Sequence, residues 1–372
     1  MRTKMFALVA VGVVTLGVTA ACTEDNGETG AAGTSTRTGS GTGKVGVILP
    51  DTTSSQRWGT DDPKFLKAAF DAAEVPLDIQ NAQGDKAKFQ QIADGMIASG
   101  VKVLMTANLD PAVGKAVLNK AKAAGIKTID YDRLTLNGGA DYYVSFDNVA
   151  VGRLQGDGLI KCLDQKGEEL PLVANLNGSP TDNNATLFQQ GYDERLQVKY
   201  DNGTFLKGPD QSVAEWDNKE AATVFTEMWR LTDKKIRGVL AANDGLGNAA
   251  IEVLKKDKMN GKVPVTGQDA TVQGLQNILA GDQCMTVYKP IKLEADAAAK
   301  LAIQLYKGET PKLGPAEQVK DPESGSTIPA KLLVPIAIDK KRVNEVITSG
   351  FVEKKAVCTG RFEALCRSNG IK

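Results

Sequence analysis

The chain has 372 residues, 42% of them apolar, which is more than one ordinary domain needs and ample for two hydrophobic cores. Lys and Arg together number 45, as do Asp and Glu, so there is no basic field to attract nucleic acid and no acidic run to suggest a disordered tail. Histidine is absent, which removes the commonest general base, the usual catalytic triad and most zinc sites in one step.

The first residues read as an export signal. Met1-Arg2-Thr3-Lys4 is a short positive start, and Phe6 to Ala21 is an apolar run too short to span a bilayer comfortably as a permanent helix. The run ends Val18-Thr19-Ala20-Ala21-Cys22, which resembles the lipobox of bacterial lipoproteins and implies cleavage before Cys22 and lipidation of that residue. Ordinary secretion with a free Cys22 is the alternative. Residues 22–43 are mostly Thr, Ser, Gly, Glu and Asp, a flexible tether that cannot pack. A lipid and a tether together place the folded part at the outer face of the cell membrane.

Cys162, Cys284, Cys358 and Cys366 remain, an even number in an oxidising compartment, so two disulfides are expected. Three connectivities are possible; pairing Cys358 with Cys366 closes a short loop and leaves Cys162 with Cys284. No two of the four have CxxC spacing, so no metal site is expected.

From Lys44 the chain alternates apolar runs of strand length with amphipathic stretches. Strands are expected at Lys44–Pro50, Leu77–Gln80, Val101–Thr106, Thr128–Tyr131 and Tyr142–Asp147, with helices at Pro63–Ala73, Asp85–Ser99, Pro111–Ala124 and Val149–Leu163. A second series follows, with strands near 171–176, 204–207, 236–242, 263–267 and 284–288. Its helices are expected at Asn184–Leu196, Asn218–Leu231, Leu246–Lys256 and Thr271–Ala280. An Ala-rich helix, Ile291–Tyr306, and a last apolar segment, Lys331–Ile338, complete the pattern. Alternation at this spacing predicts two doubly wound α/β lobes with parallel sheets. The boundaries expected are 44–145 with 289–328 for the N-terminal lobe and 146–288 with 329–372 for the C-terminal lobe. No Gly-x-Gly-x-x-Gly follows the first strand and no Walker sequence is present, so no nucleotide cofactor is implied.

Four strands end in planar polar side chains: Tyr131-Asp132-Arg133, Asp182-Asn183-Asn184 after Gly178-Ser179-Pro180, Asn243-Asp244, and Gln268-Asp269. Open α/β sheets hold ligands at the carboxyl ends of their strands. Recurrence at four ends favours a site over isolated helix caps for Asp132, Arg133, Asp182, Asn184, Asn243 and Asp269. The mixture suits a ring of hydroxyl groups, which needs carboxylates, amides and Arg forks at the rim and an aromatic for each apolar face. Trp58 and Trp216 are expected to be those aromatics. Phe225, Met228 and Trp229 instead form an apolar helical face and are expected in the core. Asp244 and Gln268 are expected to orient their neighbours.

Six motifs in order, Tyr131-Asp132-Arg133, Tyr143 to Asn148, Gly178 to Asn184, Gly267 to Ala270, Met285 to Pro290 and Val334 to Asp339, resemble the aldopyranose-binding components of ABC transporters, the family of the periplasmic D-xylose-binding proteins. The resemblance runs from Lys44 to about Phe351. It implies a type I periplasmic-binding fold, a three-segment hinge and a monosaccharide closed between two lobes. It further implies contacts from Arg57, Trp58, Asp132, Arg133, Asp182, Asn184, Trp216, Asn243, Asp269 and Lys289, and an ABC permease as membrane partner. The loop Thr52–Trp58 and the run Asp244–Asn248 differ from the family pattern and bear on sugar preference.

The expected function is therefore sugar binding without catalysis by a monomer, with xylose first and arabinose, glucose or galactose as alternatives. A sensor presenting its sugar to a membrane receptor kinase would use the same fold. A carboxylate glycosidase is the rival from another class, but Asp132, Asp182 and Asp269 each sit beside an Arg, Asn or Lys expected to keep them ionised and unfit as general acids.

Overall fold

A computed structural model describes residues 43–371; the expected export signal, Cys22 and all of the expected tether except Gly43 lie outside the described residues. The strands are β1 (Val45–Leu49), β2 (Leu77–Asn81), β3 (Val103–Thr106), β4 (Lys127–Tyr131), β5 (Tyr142–Phe146), β6 (Leu172–Asn177), β7 (Leu206–Ser212), β8 (Ile236–Ala241), β9 (Thr286–Tyr288), β10 (Gln318–Lys320), β11 (Thr327–Leu333) and β12 (Ile336–Ile338). The main helices are α1 (Asp61–Ala72), α2 (Lys86–Ala98), α3 (Pro111–Ala123), α4 (Asn148–Lys166), α5 (Asn183–Asp201), α6 (Asn218–Leu231), α7 (Asp244–Lys256), α8 (Val272–Ala280) and α9 (Ile291–Tyr306), and short helical turns follow residue 342.

The first sheet has the order β10-β11-β5-β4-β3-β1-β2, parallel throughout except for the β10–β11 edge. Its strands β1, β3 and β5 are buried along their whole length because helices cover both faces, whereas the edge strands β2 and β10 are partly exposed. Val47 and Leu49 point into a core with Leu66 and Phe70 of α1 and Ala295 and Ala298 of α9. Ile48, one residue out of phase, joins Phe89, Met96 and Val117 of α2 and α3 on the opposite face. Asp85, Asp110 and Asp147 cap α2, α3 and α4 through their side chains, and Pro111 fills the first position of α3.

The second sheet runs β7-β6-β8 in parallel, and β9 pairs antiparallel with β12. Single parallel bridges, Val239 to Val265 and Gln268 to Val287, connect the two groups. The expected strand at 263–267 is thus reduced to bridges. The amide of Ala241 donates to the Thr266 hydroxyl at 3.0 Å in place of a main-chain carbonyl, and Pro264 has no N–H to offer. The core beneath gathers Phe188, Tyr192 and Leu196 of α5, Phe225, Met228 and Trp229 of α6, and Leu246 and Leu254 of α7. Trp229 stacks on Phe225 at 6.3 Å and 24° and donates to Asp257 at 2.7 Å, as a core residue with a polar tip should.

Three segments cross between the sheets: between β5 and α4, between β9 and α9, and at Val334-Pro335. The last of these divides the apolar segment 331–338 between two sheets. Residues 330–333 pair with β5 while 336–338 pair with β9, so the boundary expected at 328 falls instead after Leu333. Cys162 bonds to Cys284, with Cα atoms 6.4 Å apart, and Cys358 to Cys366, at 5.8 Å.

Candidate functional site

Asp132 and Asp269 occupy equivalent places, Asp132 one residue past the end of β4 and Asp269 one residue past the bridge residue Gln268. The Asp132 amide donates to Val144 O at 2.8 Å, and the Asp269 amide to Val287 O at 2.8 Å. Both stand at positive φ, 62° and 100°, as does Trp216 at 57°. Asp enters the left-handed region more readily than most residues, but such strain persists only where the surroundings impose it.

Around Asp132 the cations converge. Arg57 Nη1 donates to Asp132 Oδ2 at 2.8 Å, Lys289 Nζ lies 3.5 Å from the same oxygen, and Asn184 Nδ2 donates to Oδ1 at 3.1 Å. Burial pushes the Asp132 carboxyl up, but Lys289, Arg57 and Arg133 more than offset this and hold it at about 2. Asp269 behaves otherwise. Burial raises its carboxyl above the usual range despite Lys289 at 3.9 Å. Ser55 Oγ and Gln268 Nε2 donate to it at 3.1 and 2.6 Å, so Gln268 does orient its neighbour.

The Trp216 wall is built on a glycine. A side chain at Gly178 would place its Cβ 2.0 Å from the Trp216 ring, so only glycine lets the indole lie there. Phe188 meets the same ring edge-on at 6.3 Å, and Trp216 Nε1 donates to Asp182 Oδ2 at 3.2 Å. Asp182 Oδ1 caps α5 through the Asn184 amide, and Asn243 Oδ1 caps α7 through Leu246. These two residues are therefore caps and cavity walls at once. Arg133 Nε lies 3.1 Å from Asp182 Oδ2 but is not aligned to donate to it.

All ten residues expected at the site, Arg57, Trp58, Asp132, Arg133, Asp182, Asn184, Trp216, Asn243, Asp269 and Lys289, line one cavity between the two sheets. Ser54, Ser55, Gln268 and Phe188 complete the lining. Phe188 was legible in principle, one helical turn beyond Asn184 on the same face. Two placements change. Arg57 commits its fork to Asp62, at 2.8 and 2.6 Å, and to Glu294, at 2.6 Å, as well as to Asp132, so it braces the wall more than it faces the cavity. Trp58 carries the Arg57 guanidinium 4.3 Å over its ring, which covers one of its faces. Asp244 sits outside the lining and anchors Thr271, Gln283 and Thr286. Among the lining residues, Trp58 Nε1, Arg133 Nε and Gln268 Oε1 are buried without a protein partner.

The sequence profile of the periplasmic binding protein domain matches residues 45–310. The chain belongs to this family. The D-xylose-binding periplasmic protein of Escherichia coli is 35% identical over 311 residues, which cover 83% of this chain and 90% of that protein. The multiple sugar-binding periplasmic receptor of Rhizobium radiobacter is 33% identical, covering 83% and 90%. A carbohydrate transporter solute-binding protein from Chloroflexus aurantiacus, solved with D-glucose, matches with a TM-score of 0.76 at 28% identity over 84% of this chain and 97% of that one. The type I fold implied by the six motifs is thus the fold of this periplasmic binding protein.

Its buried carboxyls set a pH dependence. Burial raises Asp130 and Asp244 to about 7 and Glu294 to about 8. A carboxyl raised on folding gives the native state more bound protons than the unfolded one, so its contribution is complete below about pH 4 and is lost as pH rises through the raised value. This periplasmic binding protein should therefore melt at a lower temperature at about pH 8.5 than at about pH 5. Calorimetric melting across that range checks it, and a midpoint that rises with pH would contradict it.

Proposed function

We propose that this chain binds one aldopyranose in the cavity between the sheets, D-xylose first and arabinose, glucose or galactose as alternatives, and delivers it to the permease of an ABC importer without chemical change. The observation that carries the reading is the cavity itself. Three aromatics, three cations, carboxylates and amides surround it, and buried donors and an acceptor on its walls lack protein partners. Buried polar groups left unpaired are costly, so a ligand offering alternating hydroxyl donors and acceptors around an apolar ring suits them. The D-xylose-binding and D-glucose-bound relatives support the same class.

Magnitudes favour the charged groups as the main contributors. Affinity of about 1 μM corresponds to roughly −8 kcal/mol. A neutral hydrogen bond nets only about 0.5–1.5 kcal/mol, and one to a charged group about 1.5–3. Asp132, Arg133, Lys289 and Asp269 would then supply most of the binding energy, with Trp216 holding an apolar face. A thermal-shift panel tests the class: aldoses should raise the melting temperature, and stabilisation by amino acids or nucleosides with none by any sugar would refute it.

The same reading includes a lipid anchor at Cys22 that keeps the protein at the outer membrane face. A Cys22→Ala variant should move to the soluble fraction, and unchanged membrane retention would rule the anchor out.

A further inference from the structure

Glu294 lies within the buried stripe of α9, beside Ile291, Ala295, Ala298 and Ala302, and reaches neither solvent nor the cavity lining. Its Oε2 accepts from Arg57 Nη2 at 2.6 Å, while Oε1 is buried with no partner. The groups facing it are Arg57 from the turn before α1, Asp62 from α1, Tyr131 and Asp132 from the end of β4, Tyr143 from β5 and Lys289 from the crossing before α9. Asp62 already meets Arg57 with a two-point fork, and it also accepts from Tyr131 Oη at 2.5 Å. Four buried carboxyls, Asp62, Asp132, Asp182 and Glu294, together with the partly buried Asp269, thus share three buried cations, Arg57, Arg133 and Lys289.

A buried carboxylate oxygen without a donor is far costlier than the neutral acid, and the cluster has more carboxyls than charges to balance them. Asp132 has three cations around it and Asp62 two donors. Glu294 has one shared donor and an unpaired oxygen, so it is the group from which a charge is most readily withheld. We propose that Glu294 is a positioning residue of the cavity, a neutral acid that fixes Arg57 so that Arg57 in turn holds the Asp132 carboxylate toward the ligand. Burial pushes its carboxyl to about 8, in the direction this geometry requires. The ligand half of the inference rests on the sugar-binding reading; the protonation half does not.

Wild type, Glu294→Gln and Glu294→Ala separate the two halves. An infrared difference spectrum of wild type minus Glu294→Gln at about pH 7 should contain the carbonyl band of a protonated carboxylic acid. Carboxylate bands alone would overturn the proposal, whatever the protein binds. In calorimetric titrations with D-xylose at about pH 7, Glu294→Gln should stay within about twofold of wild type, because a neutral amide can still accept from Arg57. Glu294→Ala should be weaker by about tenfold, since it leaves a charged donor without its acceptor. As pH rises past about 8 the wild type should weaken several-fold and Glu294→Gln should not. A glutamine variant as weak as the alanine one, or one that follows the wild-type pH profile, would overturn the role. Should no sugar bind the wild type, the functional reading fails, and the spectrum still decides the state of Glu294.

Discussion

Asp132→Ala is expected to lower the folding free energy by about 3–5 kcal/mol, because it leaves Lys289 and one edge of Arg57 buried without their shared carboxylate. The same change should weaken sugar binding by more than about tenfold, since a charged partner in a closed cavity contributes about 1.5–3 kcal/mol. Urea unfolding measures the first effect and calorimetric titration the second. Asp269→Ala gives the contrast. Its carboxyl is the less firmly ionised of the two and lies 3.9 Å from Lys289, so affinity should fall by a similar factor with a smaller loss of stability. Wild-type affinity in both variants would remove these carboxylates from the site.

Trp229→Ala should show the opposite balance. The ring is 3% exposed, stacks on Phe225 and has no place in the cavity lining, so its loss opens a void in the second core. A cost of about 3–5 kcal/mol in stability is expected, with sugar affinity unchanged within about twofold where the variant is folded. An affinity loss comparable to that of Asp269→Ala would mean that the second core and the cavity are not separable in this way.

The site's rim was legible because of how parallel strands are written. A strand buried on both faces is a block of apolar residues, and the polar residues that close it stand at the sheet's carboxyl edge, so Asp132, Asp182, Asn243 and Asp269 announce themselves locally. What braces the rim does not. Asp62 follows Arg57 by five residues but belongs to a helix, and Glu294 lies 237 residues away, brought to Arg57 only by the packing of α9 against α1. In the sequence Glu294 is one charge in an Ala-rich helix, indistinguishable from the exposed Asp296 beside it.

Other departures have equally local causes. Apolar content alone could not divide residues 331–338, because Val334-Pro335 interrupts the ladder without interrupting the hydrophobic run. Nor could it reveal that the Thr266 side chain takes the bond a strand would have made. Asp269 shows the limit for charge: a lysine close in space does not keep a carboxyl at its ordinary value where burial opposes it.

Diffraction from crystals grown with D-xylose tests the central claim most directly. The account predicts one pyranose in the cavity, between Trp216 and the Trp58 side, with its hydroxyls hydrogen-bonded to Asp132, Arg133, Asp269 and Lys289 at about 2.7–3.2 Å. A fully formed, closed cavity that stays free of sugar at saturating xylose, arabinose, glucose and galactose, or a sugar bound elsewhere on the surface, would contradict it.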